Sequence, residues 1–176
     1  RRQISAIRVK LDYPTFWRTT LNIFVLDRNP AIAAKYHCDK HAVKMVCEAT
    51  QMLSAAMHLT GAIGPYKLAY KNHPCTIWVR ETRSNYLWMC EHFEALLQEY
   101  AERYNKIHSC ARLLDLFLEH ADNIPEGPLT EHPQCMPDYC KSEDTVAAYR
   151  NYYINEKSYF AKWKNGNVPE WWTSNV

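Results

Sequence analysis

The chain has 176 residues, 47% hydrophobic and 23% charged, with a formal net charge of +2. This length and balance suit a globular chain with a sizeable buried core, exclude a disordered polyelectrolyte, and leave no apolar run long enough to span a membrane. Its seven cysteines are an odd number, and Cys38, Cys47 and Cys90 fall at helical positions, so the chain reads as a reduced, intracellular protein rather than a disulfide scaffold.

Residues 1–20 carry Arg1, Arg2, Arg8, Lys10 and Arg18 against Asp12, which leaves +4 there and −2 in the remainder. The segment has no clean periodicity. We read 1–20 as a basic lead segment that need not belong to the native protein, which would begin near LNIFVLD, and 21–176 as a single helical domain. The overall basicity is therefore no sign of a nucleic-acid partner, and a DNA surface would have to be local.

Leu21 to Leu26 is a short strand or an extended lead-in. A long first helix is predicted over 29–61, with Asn29 as N-cap, Pro30 at the first helical position and Gly61 just past the end. Tyr36, Val43, Val46, Thr50, Leu53 and Met57 share one face of it. Ala42, Met45, Ala49, Met52 and Ala56 share the opposite one. Between them run His37, His41, Lys44, Glu48, Gln51 and His58, a polar seam flanked by apolar surface on both sides, which reads as lining a cleft. Lys44 and Glu48 also suit an ordinary i,i+4 ion pair. Asp39 points into the apolar face and needs a partner there.

The loop at 61–71 interleaves Tyr66 and Tyr70 with Lys67 and Lys71, next to Asn72 and His73, a pattern able to stack bases and hold phosphates. A second long helix is predicted from His73-Pro74 to about Ile107. Its core face is Val79, Thr82, Tyr86, Met89, Phe93, Leu97, Tyr100 and Tyr104, beside a weaker polar stripe of Glu81, Asn85, Trp88 and His92. A short amphipathic helix follows at 111–120, then a proline-rich loop at 123–140. His132, Cys135 and Cys140 hint at metal spacing without a matching second half. A medium helix is expected after Ser142 as N-cap, ending near Trp163, with Arg150 and Lys157 on one side. Trp171 and Trp172 close the chain, either capping the core or offering a stacking surface. The fold class is all-α, a compact bundle of two long helices, one medium C-terminal helix and one short helix.

This order of parts resembles the small phage pyrimidine-dimer DNA glycosylases of the endonuclease V type. INEKSYFAKWKNGNVPEWW resembles that family's C-terminal segment, and HPCTIWVRETRSNYLWMCEHFEALLQEYAERYN is similar to its second helix. His41 and Glu48, seven apart, match its histidine and catalytic glutamate. The family attacks with the amine of an N-terminal threonine, and its glutamate is flanked by arginines where Cys47 and Gln51 stand here. The resemblance implies a DNA glycosylase with lyase activity on damaged duplex DNA, working in the cytoplasm as a monomer, with neither cofactor nor metal. Glu48, Lys44 and His41 would be catalytic, the amine coming from Lys44 or from a processed start at Asn22. His37, Lys67, Lys71, His73, Arg150, Lys157, Trp171 and Trp172 would bind substrate. The chain also resembles phage-type proteins with CDKH and NHP segments, of which a non-enzymatic interaction role is one reading. Another is a metal-dependent helical enzyme using His37, His41 and Glu48, with His73 or His92.

Overall fold

The structure, a computed structural model, describes residues 21–172. Within them the chain is all-helical with no strand, as α1 (Pro30–Tyr36), α2 (Asp39–Leu59), α3 (Pro74–Glu81), α4 (Arg83–Tyr104), α5 (Leu114–Glu119) and α6 (Thr145–Glu156), joined by short 3-10 turns. α4 is the hub, packing on α1, α2, α3 and α5. The basic lead segment lies outside the described residues.

Each predicted long helix is two. The first breaks at His37-Cys38, where both residues are extended. The backbone groups freed by that break find distant partners: Arg103 donates to the carbonyls of Lys35 and His37, and the Cys38 N–H donates to the Tyr153 hydroxyl. The second breaks at Thr82, which is extended and caps α4 by accepting from the Asn85 N–H. Asn85 returns the compensation by donating to the Trp78 carbonyl at the end of α3. A buried break is stable only when its orphan groups are paired in this way. Asn29 does cap α1, accepting from the N–H groups of Ala31 and Ile32.

The last helix differs at both ends from its prediction. Asp144, not Ser142, is the N-cap, accepting from the Ala147 N–H, and α6 stops at Glu156. After it the chain turns so that Phe160 meets His41 edge-on and the Trp163 indole donates to the Tyr36 carbonyl.

Arg103 supplies the partner that Asp39 requires. Its guanidinium is fully buried and bonds Asp39 at 3.1 Å and Glu99 at 2.8 Å besides the two carbonyls of the α1–α2 break. Arg103→Met should cost about 3–5 kcal/mol, because two carboxylates and two carbonyls lose one shared donor. Urea unfolding measures it, and a loss below about 1 kcal/mol would contradict this reading.

Candidate active site

The extended lead-in 21–26 is not a strand. It threads between α2 and α6, and all six of its residues are buried. Phe24 has φ +56°, in the left-handed region that costs a non-glycine residue strain of about 1–3 kcal/mol. Its surroundings hold it there. The Asn22 carboxamide oxygen accepts from the N–H groups of both Ile23 and Phe24, and His37 Nε2 donates to the Phe24 carbonyl. The ring stacks on His41 at 4.3 Å and on Tyr152 at 5.7 Å.

That kinked turn brings the backbone N–H of Asn22 to Glu48, where it donates to Oε2 at 2.9 Å. The other oxygen, Oε1, faces Lys44 Nζ at 3.2 Å. The two side chains are only 23% and 12% exposed, so this is no freely solvated surface pair. Burial raises the Glu48 pKa above its ordinary value, opposed by the Lys44 charge and the Asn22 N–H. One half-buried carboxylate therefore meets an amine on one oxygen and a main-chain nitrogen on the other.

Lys157 reaches the same edge from just past α6, with its ammonium 4.6 Å from the centre of the Tyr152 ring. Burial lowers its pKa, and the Lys44 charge adds to the shift. Lys40, over the Phe160 ring at 5.0 Å, extends the basic rim. Lys40 and the Asn22 contact are features that periodicity did not single out. Lys40 sits one position from His41 of the polar seam, and the Asn22 contact depends on a turn with no local signature.

The inner part of the predicted seam is core. His37 is fully buried and His41 is 3% exposed. Burial holds both well below the usual imidazole value, with the neighbouring His92 charge adding at His37 and the His37 charge at His41. Both rings are engaged in packing, His37 bonding the Phe24 carbonyl and His41 the Tyr153 hydroxyl. Farther along, His58 bonds the Tyr66 carbonyl at 2.7 Å and Ser54 bonds the same residue, tying the 61–73 loop to the end of α2. Gly64 makes that approach possible, since a Cβ there would lie 2.3 Å from the Ser54 carbonyl oxygen. Lys67 and Lys71 are exposed on this loop, while His73 caps α3 by accepting from the Cys75 N–H.

Arg150 turns inward rather than out to solvent. It donates to the Leu26 carbonyl, pairs with Asp27 at 3.3 Å and lies over the Trp171 ring. Trp171 packs edge-on against Tyr36 and Tyr153, and Trp172 against Trp163. Both tryptophans are half-buried and pack against the core rather than standing free of it. Nor do His37, His41 and Glu48 form a ligand set. Among the described residues, the trios with donor atoms mutually within 4.8 Å are His73, Cys75 and Cys135, and Cys47, His108 and Cys110.

The class defined so far is an all-helical protein whose half-buried carboxylate, on the long helix α2, is paired with an amine beneath a basic, aromatic rim. A family model for pyrimidine dimer DNA glycosylases matches residues 21–112, which span the lead-in, α1 to α4 and this pair. The chain belongs to that family, and a DNA repair glycosylase acting on DNA is the function the family carries. No curated protein sequence matches the chain, and no solved structure does. No described helix is long and apolar enough to cross a membrane.

Proposed function

We propose that the protein is a glycosylase with associated lyase activity on damaged, pyrimidine-dimer-type duplex DNA, with Lys44 as the amine and Glu48 as the carboxylate. The observation that supports it most is the Glu48 carboxylate bridging Lys44 Nζ and the Asn22 nitrogen. Lys44 gives a proton to Glu48 and attacks the sugar C1′. As the Lys44 N–C1′ bond forms the N-glycosidic bond breaks, and the base leaves with its electron pair and the amine's second proton. Glu48 then gives its proton to O4′ as the C1′–O4′ bond opens, so that an iminium links the protein to the ring-opened sugar and Glu48 is again a carboxylate. Glu48 stands close enough to stabilise the developing sugar cation and then to accept the C2′ proton. Loss of that proton breaks the C3′–O bond, and water hydrolyses the imine to restore the amine. Lys157 and Lys40 line the rim where backbone phosphates of a flipped or kinked nucleotide would lie.

A second amine fits the same carboxylate. Processing that exposed Asn22 would put an α-amino group on Oε2, where its backbone nitrogen already bonds. Borohydride trapping on a duplex with a pyrimidine dimer or an abasic site separates the cases. Trapping that is lost in Lys44→Ala assigns the amine to Lys44. Trapping that survives, with a mass placing the first residue at Asn22, assigns it to the terminus. Absence of both adduct and nicking removes the glycosylase–lyase reading.

A further inference from the structure

One donor trio, joined to the candidate active site through Asn22, is not used in the chemistry above. His73 opens α3 and Cys75 is its second residue, while Cys135 arrives from the proline-rich segment, 60 residues on. The two sulfurs lie 3.6 Å apart, and the His73, Cys75 and Cys135 donor atoms lie mutually within 4.8 Å. Two thiolates bound at 2.3 Å to one tetrahedral zinc stand about 3.8 Å apart, so the sulfurs are already at a metal-sharing distance. They are far beyond the length of a disulfide bond. We propose that His73, Cys75 and Cys135 bind a divalent metal of the zinc class, which pins the segment around Cys135 to the start of α3.

The chemistry fits that metal. Two thiols and an imidazole are a soft, nitrogen–sulfur set that favours zinc over magnesium or calcium. Binding releases the two thiol protons to solvent, and two thiolates with one dication leave no net charge in a site where Cys75 is buried. The Cys135 contact, then burial, pushes the Cys75 thiol up, while the Cys75 contact pulls the Cys135 thiol down. His73 now spends Nδ1 on the Cys75 N–H, so ligation exchanges that cap bond for a metal bond or turns the ring. Three protein donors leave the fourth position to water, on the side where His73 and Cys135 are half-exposed. The site also bears on the candidate active site, because the Asn22 carboxamide donates to the Cys135 carbonyl at 2.8 Å while the Asn22 N–H holds Glu48.

Cobalt titration of the reduced, chelator-treated full chain tests this without any DNA substrate, so its outcome is separate from that of the glycosylase reading. Stoichiometric uptake with a thiolate-to-cobalt charge-transfer band and tetrahedral visible bands is expected, and zinc should displace the cobalt. His73→Asn keeps a good helix cap and guards against a folding defect in Cys135→Ser. Both variants should weaken binding beyond the roughly 10- to 100-fold typical of losing an outer-shell partner. Cys47→Ser, in the other trio, should leave the band that these variants remove. A missing band, or a band lost in Cys47→Ser and retained in Cys135→Ser, overturns the proposal. So does native protein two hydrogens lighter with Cys75 and Cys135 cross-linked.

Discussion

Glu48→Gln should lower single-turnover cleavage of dimer-containing duplex by about 10²–10⁴-fold, the range for losing a positioned proton-transfer group. The isostere keeps an amide oxygen able to accept the Asn22 N–H, so the turn at Phe24 should survive. Stability should be unchanged or slightly higher, because Glu48 is a desolvated carboxylate whose burial outweighs its ion pair with Lys44. Lost turnover with an undiminished melting temperature is therefore the expected pattern. Unaltered turnover would remove Glu48 from the mechanism, and a large drop in stability would make it a structural residue instead. In the wild type the ionised carboxylate is the form that accepts protons. The acid limb of the rate profile should accordingly lie above the ordinary carboxylate value of 4.5, in the direction burial moves Glu48.

The helical class and the Lys44–Glu48 pairing are local facts and were legible in the sequence. Both follow from spacing along one helix, and so does the Asn29-Pro30 start of α1. The breaks at His37-Cys38 and Thr82 were not legible, because what makes them tolerable lies far along the chain. Arg103 and Tyr153 serve the first, and the Thr82 hydroxyl donates to the Pro128 carbonyl at the second. The same limit explains the seam. A row of polar residues between two apolar strips is consistent with a cleft or with a buried hydrogen-bonded core, and α2 contains both in sequence. His37 and His41 are enclosed, each with one ring nitrogen bonded, to the Phe24 carbonyl and the Tyr153 hydroxyl, whereas Lys44 and Glu48 are only partly buried. The Asn22 contact with Glu48 was invisible for a related reason. It exists only because Phe24 takes a left-handed backbone that no aromatic residue favours.

Those enclosed imidazoles make acid the expected weak point of the fold. His37 Nε2 donates to the Phe24 carbonyl and His92 Nδ1 to the Pro30 carbonyl, which leaves His37 Nδ1 and His92 Nε2 as bare, buried lone pairs. His132 is pressed between Trp78 at 4.0 Å and Trp88 at 4.3 Å, and its Nε2 is also unpaired. Burial pulls His92 down to about 4 and His132 to about 3, with His37 and His41 well below the ordinary 6.5. All four shifts have the same sign: the unfolded chain takes protons first as pH falls, so the stabilisation is whole above about pH 6.5 and drains below it. Each such ring costs about 1.4 kcal/mol per pH unit in that window. By pH 4.5 His92 and His132 alone should remove about 5 kcal/mol, comparable to the whole stability of a marginal domain, and His37 and His41 add to the loss. Glu48, shifted upward, works weakly against the trend. Thermal melts should therefore fall steeply between pH 6.5 and 4.5 and little between 8 and 7. His132→Phe, which fills the slot between the two indoles without a basic nitrogen, should shallow the acid slope by about one proton's worth. A melting temperature that stays level down to pH 5 would mean that these rings reach solvent or protonate inside the fold, and that the inner half of the seam is not the closed, neutral packing described above.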